Sequence, residues 1–341
     1  MADLAAALVG NGPALGFGSI SLSHVPHPVA VVIATSGSSG LAKEVGLSAR
    51  ALLASAKASN EFLGAKFGQV WSLFLPLHHV AGINVLMRSL ELGTTPIDLR
   101  NAQHYPKADF TAIVPTQLFR ALNGDTQLLD HLKGCRAVLV GGAALSETVL
   151  SSAKDSGITV VTTYGMTETC GGCVYDGIPL ASVQVETANN IIKIKGPIIA
   201  YSYLNDENAW QKSFVDGWFI TNDLGDFKDG ALKVFGRADD IIISGGEKVS
   251  LSAVESALQA KYTQNEFAAF SIPDLEWGNA LHVAIAGDFP VSTREISSYL
   301  ENALGAVAKP KSFLILSELP MIGVGKVDQK ALALAVLERK A

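Results

Sequence analysis

The sequence predicts an α/β protein. A large N-terminal domain carries a mainly parallel sheet flanked by helices plus an antiparallel β portion, and a small, mobile α+β domain follows. Three observations lead there. β-Branched runs alternate with helical stretches up to about residue 180, the texture of a parallel sheet covered on both faces. Closely spaced strand-like segments with turn residues between them follow. Beyond Gly236-Arg237-Ala238-Asp239-Asp240, helices and strands alternate again over about a hundred residues, a usual domain length.

Each element has its own signal. Val29–Ala34 is an unbroken apolar run of strand length. Ser48 is placed to cap a helix reaching Phe62. Val70–Leu75 reads as a strand ending at Pro76 and a His pair, and Ile83–Leu90 as an apolar helix interrupted by Arg88. Phe110–Val114, Ala137–Val140 and Thr159–Thr163 are further strands, with helices at 116–123 and 146–156. Val183–Glu186, Ile191–Lys195, Trp218–Thr221 and Leu232–Phe235 form the antiparallel portion. The expected domains are 1–236 and 237–341, with a hinge at 237–240; the second holds helices at 251–260 and 293–304 and strands at 267–272 and 281–286.

Apolar residues make up 48% of the 341 and charged residues 17%, enough to bury a large core. The net charge is −6 without a polybasic run, which argues against nucleic-acid or anionic-membrane partners. Residues 4–42 lack Asp, Glu, Lys and Arg, but Gly and Pro interrupt them well before the roughly 20 apolar residues of a spanning helix. With no basic segment at the start, the expected location is the cytoplasm.

The sharpest local signal is Thr35-Ser36-Gly37-Ser38-Ser39-Gly40-Leu41-Ala42-Lys43, directly after an apolar strand. Such a loop can turn backbone N–H groups inward as a nest for phosphate oxygens, with hydroxyls and a lysine adding to it. It lacks the Walker A spacing, and a plain Ser/Gly turn is the alternative. Cys170-Gly171-Gly172-Cys173 suggests a tight loop whose thiols are either buried or redox-active.

The phosphate loop resembles that of the acyl-adenylate-forming (AMP-binding) superfamily: acyl- and aryl-CoA ligases, luciferases and peptide-synthetase adenylation domains. Further segments resemble that superfamily's motifs in order. They are Leu75-Pro76-Leu77-His78-His79-Val80-Ala81-Gly82, Gly141-Gly142-Ala143-Ala144-Leu145 and Tyr164-Gly165-Met166-Thr167-Glu168-Thr169. Then come Asp216–Asp223 around Gly217-Trp218-Phe219, Gly236–Ile241 with Ser244-Gly245-Gly246-Glu247, and Pro320 through Gly325-Lys326.

The resemblance implies an ATP-dependent ligase that couples a carboxylate to coenzyme A through an acyl-adenylate. Thr35, Ser36, Gly37, Ser38, Ser39, Gly40 and Lys43 would hold the outer phosphates, with Gly142, Ala143, Tyr164 and Gly165 on the adenine side. Thr167 would bond the α-phosphate and Glu168 would hold Mg2+. Asp223 would accept the ribose hydroxyls and Arg237 would touch ribose or phosphate. Lys326 would reach the reacting carboxylate. Asp239 would be the pivot of the small domain, and Gly245 and Gly246 would line the CoA channel.

Within the superfamily, the chain is most similar to the ligases that act on o-succinylbenzoate in menaquinone biosynthesis. That implies His79, Arg88, Gly171 and Gly172 around the acid, with the Arg88 fork on its second carboxylate. A broader aryl- or acyl-CoA ligase and a non-catalytic nucleotide-binding protein are the alternatives. Only 34 residues precede the phosphate loop, fewer than in most of the superfamily, so a homodimer partner is one expected cover for the sheet. Two positions depart from the pattern: Glu44 follows Lys43 and Asn222 precedes Asp223 where glycine is usual.

Overall fold

Strands with no polar face must be covered on both sides, and the central sheet is built from such strands. The computed structural model describes residues 1–35, 42–262, 265–287, 290–321 and 327–338. The strand order of the central sheet is Ile178–Pro179, Gly171–Tyr175, Val160–Met166, Ala137–Val140, Phe110–Ile113, Trp71–Leu73, Ile97–Asp98. Pairing is parallel from Val160–Met166 to Ile97–Asp98 and antiparallel for the other two strands. Phe110–Ile113 and Ala137–Val140 are buried at every position.

Two of the helices that pack on this sheet are also joined to each other. Ser48 Oγ accepts from Ala51 N at 3.2 Å and starts the helix Ala49–Phe62, as its sequence position predicts. Helix Val80–Glu91 packs against it, tied by Asn60 Nδ2 donating to Arg88 O at 3.1 Å.

A second sheet, ordered Leu15–Phe17, Val29–Thr35, Lys43–Ser48, Ser202–Tyr203, carries the phosphate-loop candidate. Val29–Thr35 and Lys43–Ser48 pair antiparallel, with Thr35 opposite Lys43. The loop's two ends therefore lie side by side at one end of a buried hairpin. A third sheet holds Gln184–Ala188, Ile191–Lys195, Trp218–Lys228 and Phe214–Val215, with Ala231–Arg237 pairing on Trp218–Lys228.

The chain forms two compact units. One comprises Met1–Gly142, Ala153–Thr221 and Asp226–Lys233; the other comprises Ala143–Ser152, Asn222–Gly225 and Val234–Ala341. The second unit's own sheet is ordered Glu247–Ser250, Ile241–Ser244, Gly278–Ala286, Glu266–Asp274, with Ser312–Leu316 parallel to Gly278–Ala286. Helices Leu251–Lys261 and Thr293–Leu304 supply Val254, Leu258, Ile296 and Leu300 to one core of this unit. Helix Gln329–Glu338 supplies Leu332 and Val336 to another.

Two differences from expectation bear on the site and its neighbouring sheet. Gly171 and Gly172 begin a strand rather than a tight loop, because the turn is made one residue earlier, at Cys170 in the left-handed region (φ 48°). The strand expected at Trp218–Thr221 runs on to Lys228, since its partner Ala231–Arg237 pairs along it and the polar residues of a half-exposed strand give no sequence stop. Among the described residues, no helix is long and apolar enough to cross a membrane.

Candidate active site

Lys43 opens the strand after the phosphate-loop candidate, and its ammonium lies 4.2 Å from the centre of the Tyr203 ring. A cation over an aromatic face is attracted by the ring quadrupole. The same ring's hydroxyl donates to Glu168 Oε1 at 2.7 Å. Lys43, expected at the outer phosphates, and Glu168, expected at Mg2+, therefore meet on a single side chain. Tyr203 is buried, and its ring stands edge-on to Trp210 at 5.2 Å. Burial, and then the Glu168 carboxylate, push the Tyr203 phenol above its ordinary range, so it remains a donor.

Thr35 Oγ1 donates to Lys43 O at 3.3 Å across the hairpin end. Ser36, Gly37, Ser38, Ser39 and Gly40 lie outside the described residues, as does Lys326. The bridge between Met321 and Val327 brackets the segment that holds Lys326.

Glu168 sits in the short helical turn Thr167–Thr169, directly after the strand that ends at Met166. Thr169 stabilises this turn: its hydroxyl accepts from Met166 N at 2.9 Å and donates to Gly171 O at 2.7 Å. Gly165 permits the close pass, since a Cβ there would lie 2.1 Å from Gly171 O. Tyr164 belongs to the same strand. At the neighbouring strand's end, a Cβ on Gly141 would lie 2.1 Å from Thr163 Oγ1, and Gly142 has φ +86°. Ala143 follows in the chain, at the start of a segment of the second unit.

Among the described residues, no cluster of three or more His, Cys, Asp or Glu side chains could enclose a metal ion. A lone carboxylate with one oxygen bonded to a phenol fits a hard cation that takes its other ligands from phosphate oxygens and water.

On the acid side, His79 precedes helix Val80–Glu91 with its ring 4.4 Å from that of His78. Burial, and then His78, hold its pKa below the ordinary imidazole value, and its Nε2 is buried without a partner among the described residues. Gly82 is required by the turn: a Cβ there would meet Pro76 O at 2.3 Å. Gly171 is equally crowded, with a Cβ position 1.9 Å from Asn84 Nδ2. A Cβ on Gly172 would lie 2.9 Å from the Tyr175 ring.

Arg88, expected to fork onto a second carboxylate, is 4% exposed, and its Nε is buried without a hydrogen-bond partner among the described residues. Its Nη2 donates to the Tyr175 hydroxyl at 3.0 Å, and its guanidinium lies 4.9 Å from the Trp71 ring centre. Tyr175 OH in turn pairs with Ser59 Oγ at 2.8 Å. Cys135, Cys170 and Cys173 are free and buried. Burial pushes the Cys173 thiol up to about 12, and Cys170 higher still, so a reactive thiolate is disfavoured at both.

In the second unit, Arg237 Nη1 lies 3.9 Å from Asp223 Oδ1, an ion pair between the two residues expected at the ribose. Asp239 lies in the turn Ala238–Asp240, and its side chain is outside the described set. Gly245 and Gly246 form the two-residue turn of the hairpin Ile241–Ser244/Glu247–Ser250, with φ +59° and +85°. Gly245 N donates to Trp277 O at 2.9 Å, and a Cβ on Gly245 would lie 2.7 Å from the indole.

Tyr203 and its neighbour Asn205 carry none of the signals used on the sequence. Only the pairing of Ser202–Tyr203 with Val45–Gly46 brings them to Lys43.

The family described as AMP-binding enzyme matches residues 20–200. A protein of Mycobacterium tuberculosis named probable 2-succinylbenzoate–CoA ligase is 36% identical over 329 residues, covering 90% of this chain and 85% of that protein. The o-succinylbenzoate CoA synthetase of Bacillus subtilis, solved with its acyl-adenylate intermediate, superposes with a TM-score of 0.78 at 28% identity, over 89% of this chain and 69% of that one. The same enzyme solved with ATP and a magnesium ion superposes at 0.77, again at 28% identity, over 89% and 70%.

Proposed function

The chain belongs to the AMP-binding enzyme family, and on that footing we propose that it is an acid–thiol ligase joining 2-succinylbenzoate to coenzyme A with ATP and Mg2+. In the first half-reaction a carboxylate oxygen of the acid attacks the α-phosphorus of ATP and diphosphate leaves. In the second, the CoA thiolate attacks the acyl carbon and AMP leaves. The observation that carries this reading is the convergence of Lys43 and Glu168 on Tyr203. A phosphate-reading cation and a metal-holding carboxylate, drawn from separate parts of the chain, meet as a triphosphate site requires.

The residue roles in this reading are those that the family resemblance implies. Thr35 and Ser36–Gly40 with Lys43 hold the departing phosphates through backbone N–H groups, hydroxyls and one ammonium. Thr167 bonds the α-phosphate and Glu168 presents a carboxylate to Mg2+, which, when bound, neutralises phosphate charge. Tyr164 offers a ring face to adenine, with Gly142, Ala143 and Gly165 admitting the base. Asp223 accepts from the ribose hydroxyls, while Arg237 steadies that carboxylate. Lys326 meets the charge that develops between acid and α-phosphate.

His79, kept neutral by burial, stands beside the acid without adding charge. Arg88 supports the acyl side indirectly, by orienting Tyr175 behind Gly172. The 237–240 segment is the hinge of the small domain, and the Gly245-Gly246 turn lines the path of the thiol. A cytoplasmic location is part of this proposal. Self-association as a homodimer, with the 84%-exposed Phe67 as an expected contact, is part of this reading.

Diphosphate release over a panel of acids tests the reading. Release with 2-succinylbenzoate, followed by acyl-CoA formation when CoA is added, is expected. Release only with a monocarboxylate overturns the substrate assignment. ATP binding without release from any acid would falsify the ligase reading.

A further inference from the structure

On the side away from Thr35, the peptide groups beside Lys43 are met not by a strand but by one side chain. Asn205 Oδ1 accepts from Glu44 N at 2.8 Å, and Asn205 Nδ2 donates to Ala42 O at 2.8 Å. The two peptide groups flanking Lys43 are therefore held by a single carboxamide, which has the donor and acceptor of a peptide unit. The ladder leading to it is regular: Ser202–Tyr203 pairs with Gly46–Val45, and Leu204 N donates to Glu44 O at 2.8 Å. Past Leu204 the chain turns into the helix Glu207–Ser213, capped by Asp206, and the Asn205 side chain continues the pairing that the main chain abandons. On its other side the strand is anchored by Glu44, buried in place of the family's usual glycine, whose Oε1 accepts from both Ser21 N and Ser21 Oγ at 2.6 Å.

The same short segment holds Glu168. Ala200 N donates to Glu168 O at 2.8 Å, and Tyr203 OH donates to the Glu168 carboxylate. One stretch of chain thus fixes the main chain and side chain of both charged residues. It also keeps them apart: Lys43 lies over the face of the Tyr203 ring, Glu168 binds its hydroxyl edge, and no ion pair joins them among the described residues. A direct Lys43–Glu168 pair would neutralise both charges before a ligand arrived.

We propose that Tyr203 and Asn205 are positioning residues of the reaction: Tyr203 holds the lysine and the carboxylate preorganised but unpaired for a metal–triphosphate, and Asn205 sets the backbone from which the lysine extends. This rests on the ligase reading for its purpose, but its test does not use the acid. Tyr203→Phe keeps the ring under Lys43 and removes only the hydroxyl. The Mg2+ concentration needed for ATP binding, measured calorimetrically on the full chain, then rises about three- to tenfold, the effect of losing one charge-assisted hydrogen bond. Asn205→Ala instead weakens binding of inorganic diphosphate without Mg2+ by a similar factor and leaves the Mg2+ requirement of ATP binding near the wild-type value.

Thermal melting checks that each variant is folded. A folded Tyr203→Phe protein with an unchanged Mg2+ requirement overturns the proposal, as does a wild-type chain that binds no ATP with Mg2+. Should Tyr203→Phe fail to fold, Asn205→Ala decides alone, with unchanged diphosphate binding as the contrary result. If the wild type releases diphosphate with no acid while the two variants still separate metal from phosphate dependence, the ligase reading fails and the positioning roles stand.

Discussion

Asn84 and Gly171 touch with no space between them: a methyl group added to Gly171 would lie 1.9 Å from Asn84 Nδ2. Asn84 also donates to Cys170 O at 2.7 Å, beside Ser55 Oγ at 2.9 Å. The helix Val80–Glu91 is thereby locked to the strand that follows the Glu168 turn.

Gly171→Ala is expected to destabilise the protein by about 1–3 kcal/mol, because it combines overpacking with an unfavourable positive φ of +93°. Urea denaturation reads this. Adding Asn84→Ala to it returns part of the loss, since the two residues share one contact. Additive losses would show that the clash is not with Asn84.

Lys326→Ala is expected to lower diphosphate release by roughly 10²–10³-fold, the usual cost of removing one preorganised charge from a transition state. Conversion of supplied acyl-adenylate and CoA to product stays within a few-fold of wild type. Equal loss of both half-reactions contradicts the assigned role.

Gly245→Ala is expected to have the reverse effect. The added methyl strikes the Trp277 ring and burdens a residue at φ +59°. Thioester formation from supplied acyl-adenylate falls by about tenfold or more, as expected when a tight turn lining a reaction path is displaced. Diphosphate release changes less. Stopped-flow measurement of each half-reaction separates the two.

Glu255 gives the second unit a pH-dependent stability. Burial raises its pKa from 4.5 to about 7, against the backbone hydrogen bond from Ala269 N, which lowers it; the charge of Asp240 adds to the rise. Between those values the folded state keeps a proton that the unfolded chain releases. This contribution is full below about pH 4.5 and is lost as pH rises to about 7. Glu255→Gln keeps an acceptor for Ala269 N and removes the slope. It is expected to stabilise the protein at pH 8 by about 1–3 kcal/mol and to matter little at pH 4. Denaturation midpoints across that range check the sign.

The sequence by itself determined the local elements and the kinds of chemistry present. Unbroken apolar runs such as Ala137–Val140 must be buried strands, and Ser48 caps the helix it precedes. The types and order of Lys43, Glu168 and Asp223 are likewise written in the sequence, and they carry the resemblance to the family. What only the tertiary structure decided is which side chains meet. Arg88 looks like an available fork on an apolar helix, yet packing places it under Tyr175 and over Trp71. Cys170-Gly171-Gly172-Cys173 looks like a loop, yet sheet pairing draws its last three residues into a strand. Tyr203 and Asn205 lie outside the motifs read above and become central through the register of Ser202–Tyr203 against Val45–Gly46. The physical reason is one of range. Propensity, capping and periodicity act over a few residues, whereas strand register is settled by burial summed over the whole sheet and brings together residues whose local sequence holds no trace of one another.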